Sequence, residues 1–281
     1  MEKRTLDIFN GQPLAENYKS GSIERHREDL SLRGYTTFNP SISIDLKEFR
    51  NEVDMFYAKE LEKYTNDKLK IIHELGIVRN PFFESPIARG IFFDKKSLAL
   101  LESFFGNQYI LHVNRFVVAD PEYAHPASAW HREPPYNNFI TQTPLALTFI
   151  FLPDGSEKKN SGITLIPGSH KWPNFPSDEF VIANEITPTI EPGKILAIDS
   201  NLFHRTGKVG EKLRRSMVTI FTTPAIKQQT NIATVIMKKY SHILNEYDNT
   251  KRFYGIDTNP AITDDEYRNK KFKKNLGAYD G

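Results

Sequence analysis

The sequence predicts a mainly β fold, a β-sandwich or jelly roll, braced by N-terminal helices. Three observations predict it. The first third of the chain carries apolar residues at helical spacing. From Tyr109 the pattern changes to short runs rich in Ile, Val, Phe and Thr, residue types that suit a pleated surface. Most of those runs are bounded by Pro, Gly, Asn or Asp, which punctuate strands. Strands gathered behind a helical part fit a sheet structure with helices packed on it.

The elements follow in order. Residues 1–21 form a polar N-terminal arm, and residues 22–108 a helical bracing part. Within that part Ser22 caps a helix that runs to Arg33, and Gly34 stops it. Gly34 to Phe38 is strand-like, and Asn39-Pro40 turns the chain. Asp45 to Tyr64 is a second helix with Leu46, Phe49, Val53 and Phe56 inward. Phe82 and Phe83, between Pro81 and Pro86, sit in a loop that packs by its aromatics. Lys95 to Phe105 is a short helix ended by Gly106. Residues 109–224 form the β core. Its strands are Tyr109–Ala119, Trp130–Glu133, Leu145–Leu152, Ile163–Ile166, Ile186–Ile190, Lys194–Asp199 and Ser216–Thr222. Residues 225–281 add a helix over Ile232–Leu244 and a basic tail with Arg268, Lys270, Lys271, Lys273 and Lys274, read as a solvated segment.

Composition narrows the function. The 281 residues suffice to bury a core as a single domain. A net charge of +2 argues against a whole-protein field for nucleic acid or membrane. The chain has no cysteine, so thiolate catalysis and Cys-ligated metals are excluded. No apolar run approaches the length of a spanning helix or a signal peptide, and the cytoplasm is the default location.

The chemistry concentrates between His131 and Arg215. His131 and Glu133 are two apart, so on a strand both face the same way. One ion can then take an imidazole nitrogen and a carboxylate oxygen from them, with His204 as the third ligand. Two histidines and a carboxylate on one side of an ion leave the opposite positions open, an arrangement that suits ferrous iron better than hydrolytic zinc. Arg215 opens the apolar strand Met217–Phe221. A guanidinium there is expected to meet a carboxylate, which it grips bidentately, and Thr206 can add a hydroxyl donor. Its neighbour Arg214 is expected to point to the surface.

Together, Trp130-His131-x-Glu133, Gly162-x-x-x-x-Pro167-Gly168-Ser169-His170-Lys171, His204-x-Thr206-Gly207 and Arg215, eleven past His204, resemble the phytanoyl-coenzyme A dioxygenase family. The resemblance spans roughly residues 109–223. It implies a double-stranded β-helix, a cupin-like jelly roll, that uses Fe(II), 2-oxoglutarate and dioxygen to hydroxylate an unactivated carbon of a small molecule. It makes His131, Glu133 and His204 the iron ligands. Arg215 becomes the partner of the distal 2-oxoglutarate carboxylate, with Thr206 beside it. Asn114 matches an Asn that touches the carboxylate nearer iron, His112 shares its face, and Phe149 falls where many members line the co-substrate pocket. The Pro167–His170 turn reads as architecture, with His170 a brace.

The sequence departs from the family in Glu133, where most members carry Asp; the carboxylate is kept, which argues against the halogenating variant. Substrate choice is assigned to residues 134–139, Phe82–Arg89 and the tail. The Tyr136, Asn137 and Asn138 groups suggest a polar molecule: a sugar, an amino acid or a natural-product intermediate. Two alternatives stay open: a cupin-like metalloenzyme independent of 2-oxoglutarate, and an inactive jelly-roll binding protein.

Overall fold

The computed structural model describes residues 18–122, 126–133, 140–160, 162–207 and 212–276. In chain order the elements are α1 (Ile23–Arg33), β1 (Tyr35–Phe38), α2 (Leu46–Lys63), α3 (Asn66–Ile71), β2 (Ile77–Arg79), α4 (Pro86–Phe92), α5 (Lys95–Phe105) and β3 (Ile110–Ala119). Then come β4 (Ala146–Leu152), β5 (Ile163–Leu165), α6 (Asp178–Asn184), β6 (Lys194–Asp199), β7 (His204–Thr206), β8 (Arg214–Thr222), α7 (Ile232–Lys239), α8 (Thr250–Phe253) and α9 (Asp264–Leu276).

Helix ends obey their caps. The Ser22 hydroxyl accepts from the Arg25 N–H, and Gly34 closes α1 in the left-handed region at φ 81°. Asp45 accepts from the Lys47 and Glu48 N–H groups at the start of α2. An added Cβ at Gly34 would stand 2.6 Å from His170 Nδ1, so both the left-handed φ and the close approach require glycine there.

The strands form an antiparallel jelly roll. The larger sheet runs β1-β6-β4-β8-β3-β2, and β5 pairs with β7 in a second layer. The sheet is not closed by hydrogen bonds among the described residues. Both edge strands of the larger sheet, β1 and β2, come from the N-terminal part, which is therefore woven into the sheet as well as bracing it. One face packs Phe116, Phe149, Phe151, Met217 and Phe221 against Phe49, Val53 and Phe56 of α2 and against α4 and α5. The opposite face packs Val117, Ile150, Leu196 and Val218 against Ile163 and Leu165 of the second layer. Both faces are thus buried, and β4 is buried at every position.

Three expectations shift. Residues 130–133 are held by one bridge, His131 to His204, rather than by a strand, and 186–190 likewise by isolated bridges. Phe82–Arg89, expected as a loop that packs by its aromatics, does pack by them but forms a short turn and the start of α4. Phe82 is fully buried against Tyr254 and Phe92, and the buried Arg89 reaches out to pair with the exposed Glu246, so this stretch belongs to the helical core. The tail, expected as a solvated segment with no element assigned, forms α9. Residues 134–139 lie outside the described residues. No helix among the described residues is long and apolar enough to cross a membrane.

Candidate metal centre

The second layer and the turn at residues 130–133 bring three side chains together. The His131 N–H donates to the His204 carbonyl at 3.0 Å, and the His204 N–H returns the bond at 3.1 Å. The Glu133 N–H donates to the Ser200 carbonyl at 3.0 Å. These bonds place His131 and Glu133 beside β7. Between them Arg132 turns the other way. It donates to the carbonyls of Ser169, Trp172 and Pro173 and lies 3.7 Å over the Phe203 ring. That buried anchor fixes which way its two neighbours face.

One ligand atom from each of His131, Glu133 and His204 lies within 4.8 Å of the others, so the three could hold a metal ion. Each imidazole is already oriented. His131 Nδ1 donates to the Ala129 carbonyl and His204 Nδ1 to the Leu202 carbonyl, both at 2.9 Å. Those bonds put the ring proton on Nδ1 and leave Nε2 as the lone-pair donor, the usual support for a ligating histidine. Burial and the neighbouring His204 push His131 down to about 4, so it is neutral and available at neutral pH. Burial alone would raise the Glu133 carboxyl, but Arg115, His204 and His131 hold it well below the usual carboxylate range. Arg115 Nη2 donates to both Glu133 oxygens, at 3.1 and 3.3 Å. The added methylene of Glu133 therefore does not carry its carboxylate away from the histidines.

The three residues open into a cavity of about 270 Å³. Thr206 lines it, as expected, together with Arg79, Arg115, Arg214 and Ser216. Arg215 does not. Its guanidinium forms a two-point pair with Asp54 at 2.7 Å and a further contact with Asp154 at 3.3 Å, on the helix-covered side of the sheet. Arg214 takes the inward position. It is 2% exposed, its Nε and Nη1 have no partner among the described residues, and burial pulls it down to about 10. A one-residue change of register exchanges the two faces of a strand, and the same change moves two further residues out of the cavity. Asn114 faces away and donates to Thr219 Oγ1 at 3.2 Å. Phe149 packs between Phe38 and Phe221 in the outer core, and Ile150 is the cavity residue. His112 sits at the irregularity in the β3–β8 pairing, outside the cavity lining, with burial lowering its pKa against a smaller raising effect of Glu133. The expected brace is present: His170 Nε2 meets the Ser31 carbonyl at 3.1 Å.

Arg115, Arg79 and Arg214 were missed by sequence reasoning. The available signal was a charged residue inside an apolar strand, the same signal that drew attention to Arg215.

The donor set fits a ferrous ion, and the fully buried Arg214, with two nitrogens unpaired among the described residues, fits a carboxylate brought by a ligand. Comparison with known proteins agrees. The sequence matches the family model described as phytanoyl-CoA dioxygenase (PhyH) over residues 45–216. No curated protein matches in sequence. Among solved structures, EctD from S. alaskensis with 2-oxoglutarate and 5-hydroxyectoine is 16% identical, with TM-score 0.56, covering 74% of this chain and 79% of that one. AviO1 from Streptomyces viridochromogenes Tue57 is also 16% identical, with TM-score 0.53, covering 74% and 98%. EvdMO1 is 16% identical with TM-score 0.55, covering 72% of this chain but 50% of its own length. At this identity the structural likeness speaks to the fold; the family match speaks to the chemistry. The chain belongs to the phytanoyl-CoA dioxygenase family and is a 2-oxoglutarate-dependent non-haem iron oxygenase.

Proposed function

We propose that the protein hydroxylates an unactivated carbon of a small polar molecule, with His131, Glu133 and His204 as iron ligands and Arg214, in place of Arg215, as the anchor of the distal 2-oxoglutarate carboxylate. The observation that carries this reading is the pairing, in one cavity, of a preset His-Glu-His group with a buried guanidinium whose Nε and Nη1 have no partner among the described residues. Iron(II), 2-oxoglutarate and dioxygen would supply the oxidising power, with succinate and carbon dioxide released.

The chain's own part is positioning. The backbone carbonyls of Ala129 and Leu202 fix the histidine tautomers. Arg115 holds the Glu133 carboxylate ionised and aimed. Thr206, across from Ile163 in β7, supplies a hydroxyl on the wall of the cavity that Arg214 also lines. The walls beyond this group combine Ile77, Val117 and Ile150 with charged side chains, which suits a substrate with both polar and carbon surfaces. EctD, solved with 5-hydroxyectoine, is a structural neighbour carrying a small polar molecule.

The test is succinate formation by iron-loaded protein across amino acids, sugars, polar natural-product intermediates and long-chain acyl thioesters. Stimulation by one of the polar classes, with an oxygenated product, is the expected result. Coupling to acyl thioesters alone would overturn the substrate class.

A further inference from the structure

We propose that Arg115 reads a carboxylate on the substrate, so that the substrate is a monoanion bound beside Glu133. The inference rests on the oxygenase reading above and deepens it.

Two arginines face each other across the cavity wall. Arg79 of β2 and Arg115 of β3 are direct partners in the antiparallel register, and both line the cavity. Like charges placed opposite one another on a sheet destabilise it unless each is compensated. Arg79 is compensated locally: Glu74 takes its Nε at 2.8 Å and also its Nη2, and Gln229 takes Nη1 at 2.6 Å. Its donors are spent on neighbours in the same wall. Among the described residues Arg115 is compensated only by Glu133, and only through Nη2, while its buried Nε has no partner.

Charge then decides what the cavity lacks. A ferrous ion and Arg214 together balance Glu133 and doubly charged 2-oxoglutarate. Arg79 and Glu74 balance each other. Arg115 is left with one positive charge and unspent donors on the cavity wall, next to the carboxylate that the metal has claimed. A guanidinium so placed is satisfied by a planar monoanion that it can meet with two parallel bonds. A phosphate dianion would overshoot the charge. The apolar side chains of Ile77 and Val117 flank Arg115 and would contact the carbon frame of such an acid.

The experiment titrates pyroglutamate, N-acetylglycine, benzoate and cyclohexanecarboxylate, each against its primary amide. Binding is followed by calorimetry into anaerobic protein loaded with Fe(II) and 2-oxoglutarate. Wild type, Arg115→Gln and Arg115→Lys are compared, and the visible band of the iron–keto acid chelate is recorded for each before titration. At least one acid is expected to bind wild type about tenfold more tightly than its amide, the scale of one charge-assisted hydrogen bond. That preference should vanish in Arg115→Gln and return in part in Arg115→Lys, each measured after the band has been brought to its maximum with excess Fe(II) and 2-oxoglutarate, because Arg115 also steadies the iron ligand Glu133. No acid preferred over its amide in wild type, or a preference surviving in Arg115→Gln, overturns the proposal. A band that never forms in Arg115→Gln even in excess Fe(II) and 2-oxoglutarate also overturns it, because Arg115 would then serve the metal centre through Glu133 and nothing else. Absence of the band in wild type is a different failure, that of the oxygenase reading itself.

Discussion

Replacing Arg214 and Arg215 separately by Met tests which face of β8 holds the co-substrate. Arg214 is enclosed, with two of its nitrogens facing no partner among the described residues. Removing one member of a desolvated, hydrogen-bonded charge pair costs about 2–4 kcal/mol, or ~30- to ~1,000-fold in Kd. Arg214→Met should weaken 2-oxoglutarate by that factor, read by anaerobic titration of the Fe(II)-loaded protein. The same change removes an unpaired buried charge, so the ligand-free protein should melt at a higher temperature than wild type. It should also lose the stabilisation that 2-oxoglutarate confers. Arg215→Met should behave oppositely. Its ion pairs with Asp54 and Asp154 are partly exposed, so their loss should lower stability by about 1–2 kcal/mol and leave 2-oxoglutarate affinity unchanged within a factor of about two. Loss of 2-oxoglutarate binding in Arg215→Met with retention in Arg214→Met would refute the assignment of faces.

Three further outcomes follow from the same geometry. Phe149→Ala should destabilise the fold by about 3–4 kcal/mol in chemical denaturation, as expected for a phenylalanine emptied from the outer core, without changing 2-oxoglutarate affinity. Gly34→Ala should cost roughly 1–3 kcal/mol, because it puts a Cβ against His170 and Leu202 at a positive φ; a melting temperature equal to wild type would contradict that contact. Burial pushes the Asp199 carboxyl up to about 6, above its ordinary 3.8. The folded state therefore holds a proton that the unfolded state releases between those values, and stability should fall as pH rises from about 4 to about 6, by on the order of 2–3 kcal/mol. Denaturant midpoints measured across that range should flatten in Asp199→Asn.

The sequence made the metal centre and the core strands legible for a physical reason. His131, Glu133 and His204 are all metal-ligating side chains, the first two only two residues apart, and His204 follows the apolar run that became β6. Lys194–Asp199 and Lys95–Phe105 carry unambiguous boundaries and match β6 and α5 residue for residue. The inner and outer faces of β3, β4 and β8 were not legible. Alternation reveals a face only when one side meets water, and here Phe149 and Ile150 are both about 5% exposed. Arg214 and Arg215 likewise differ by direction alone, and direction is set by pairing with β3, in which Ala119 meets Arg214. The short strand β2 escaped notice because three residues carry too little pattern, yet it delivers Arg79 to the cavity. Arg132 looked like a spacer between two ligands; its burial under Phe203 depends on a turn some forty residues away.

The most direct test of the central claim is a visible absorption spectrum of metal-free protein under anaerobic conditions, taken after adding Fe(II) and then 2-oxoglutarate. A keto acid chelated to ferrous iron gives a weak charge-transfer band that neither component shows alone. The account predicts that the band appears with wild type, is lost in His131→Ala and in Glu133→Ala, and needs far more 2-oxoglutarate in Arg214→Met. Iron binding without the band would move the protein to metal chemistry that does not use 2-oxoglutarate, and absence of iron binding would contradict the metal centre itself.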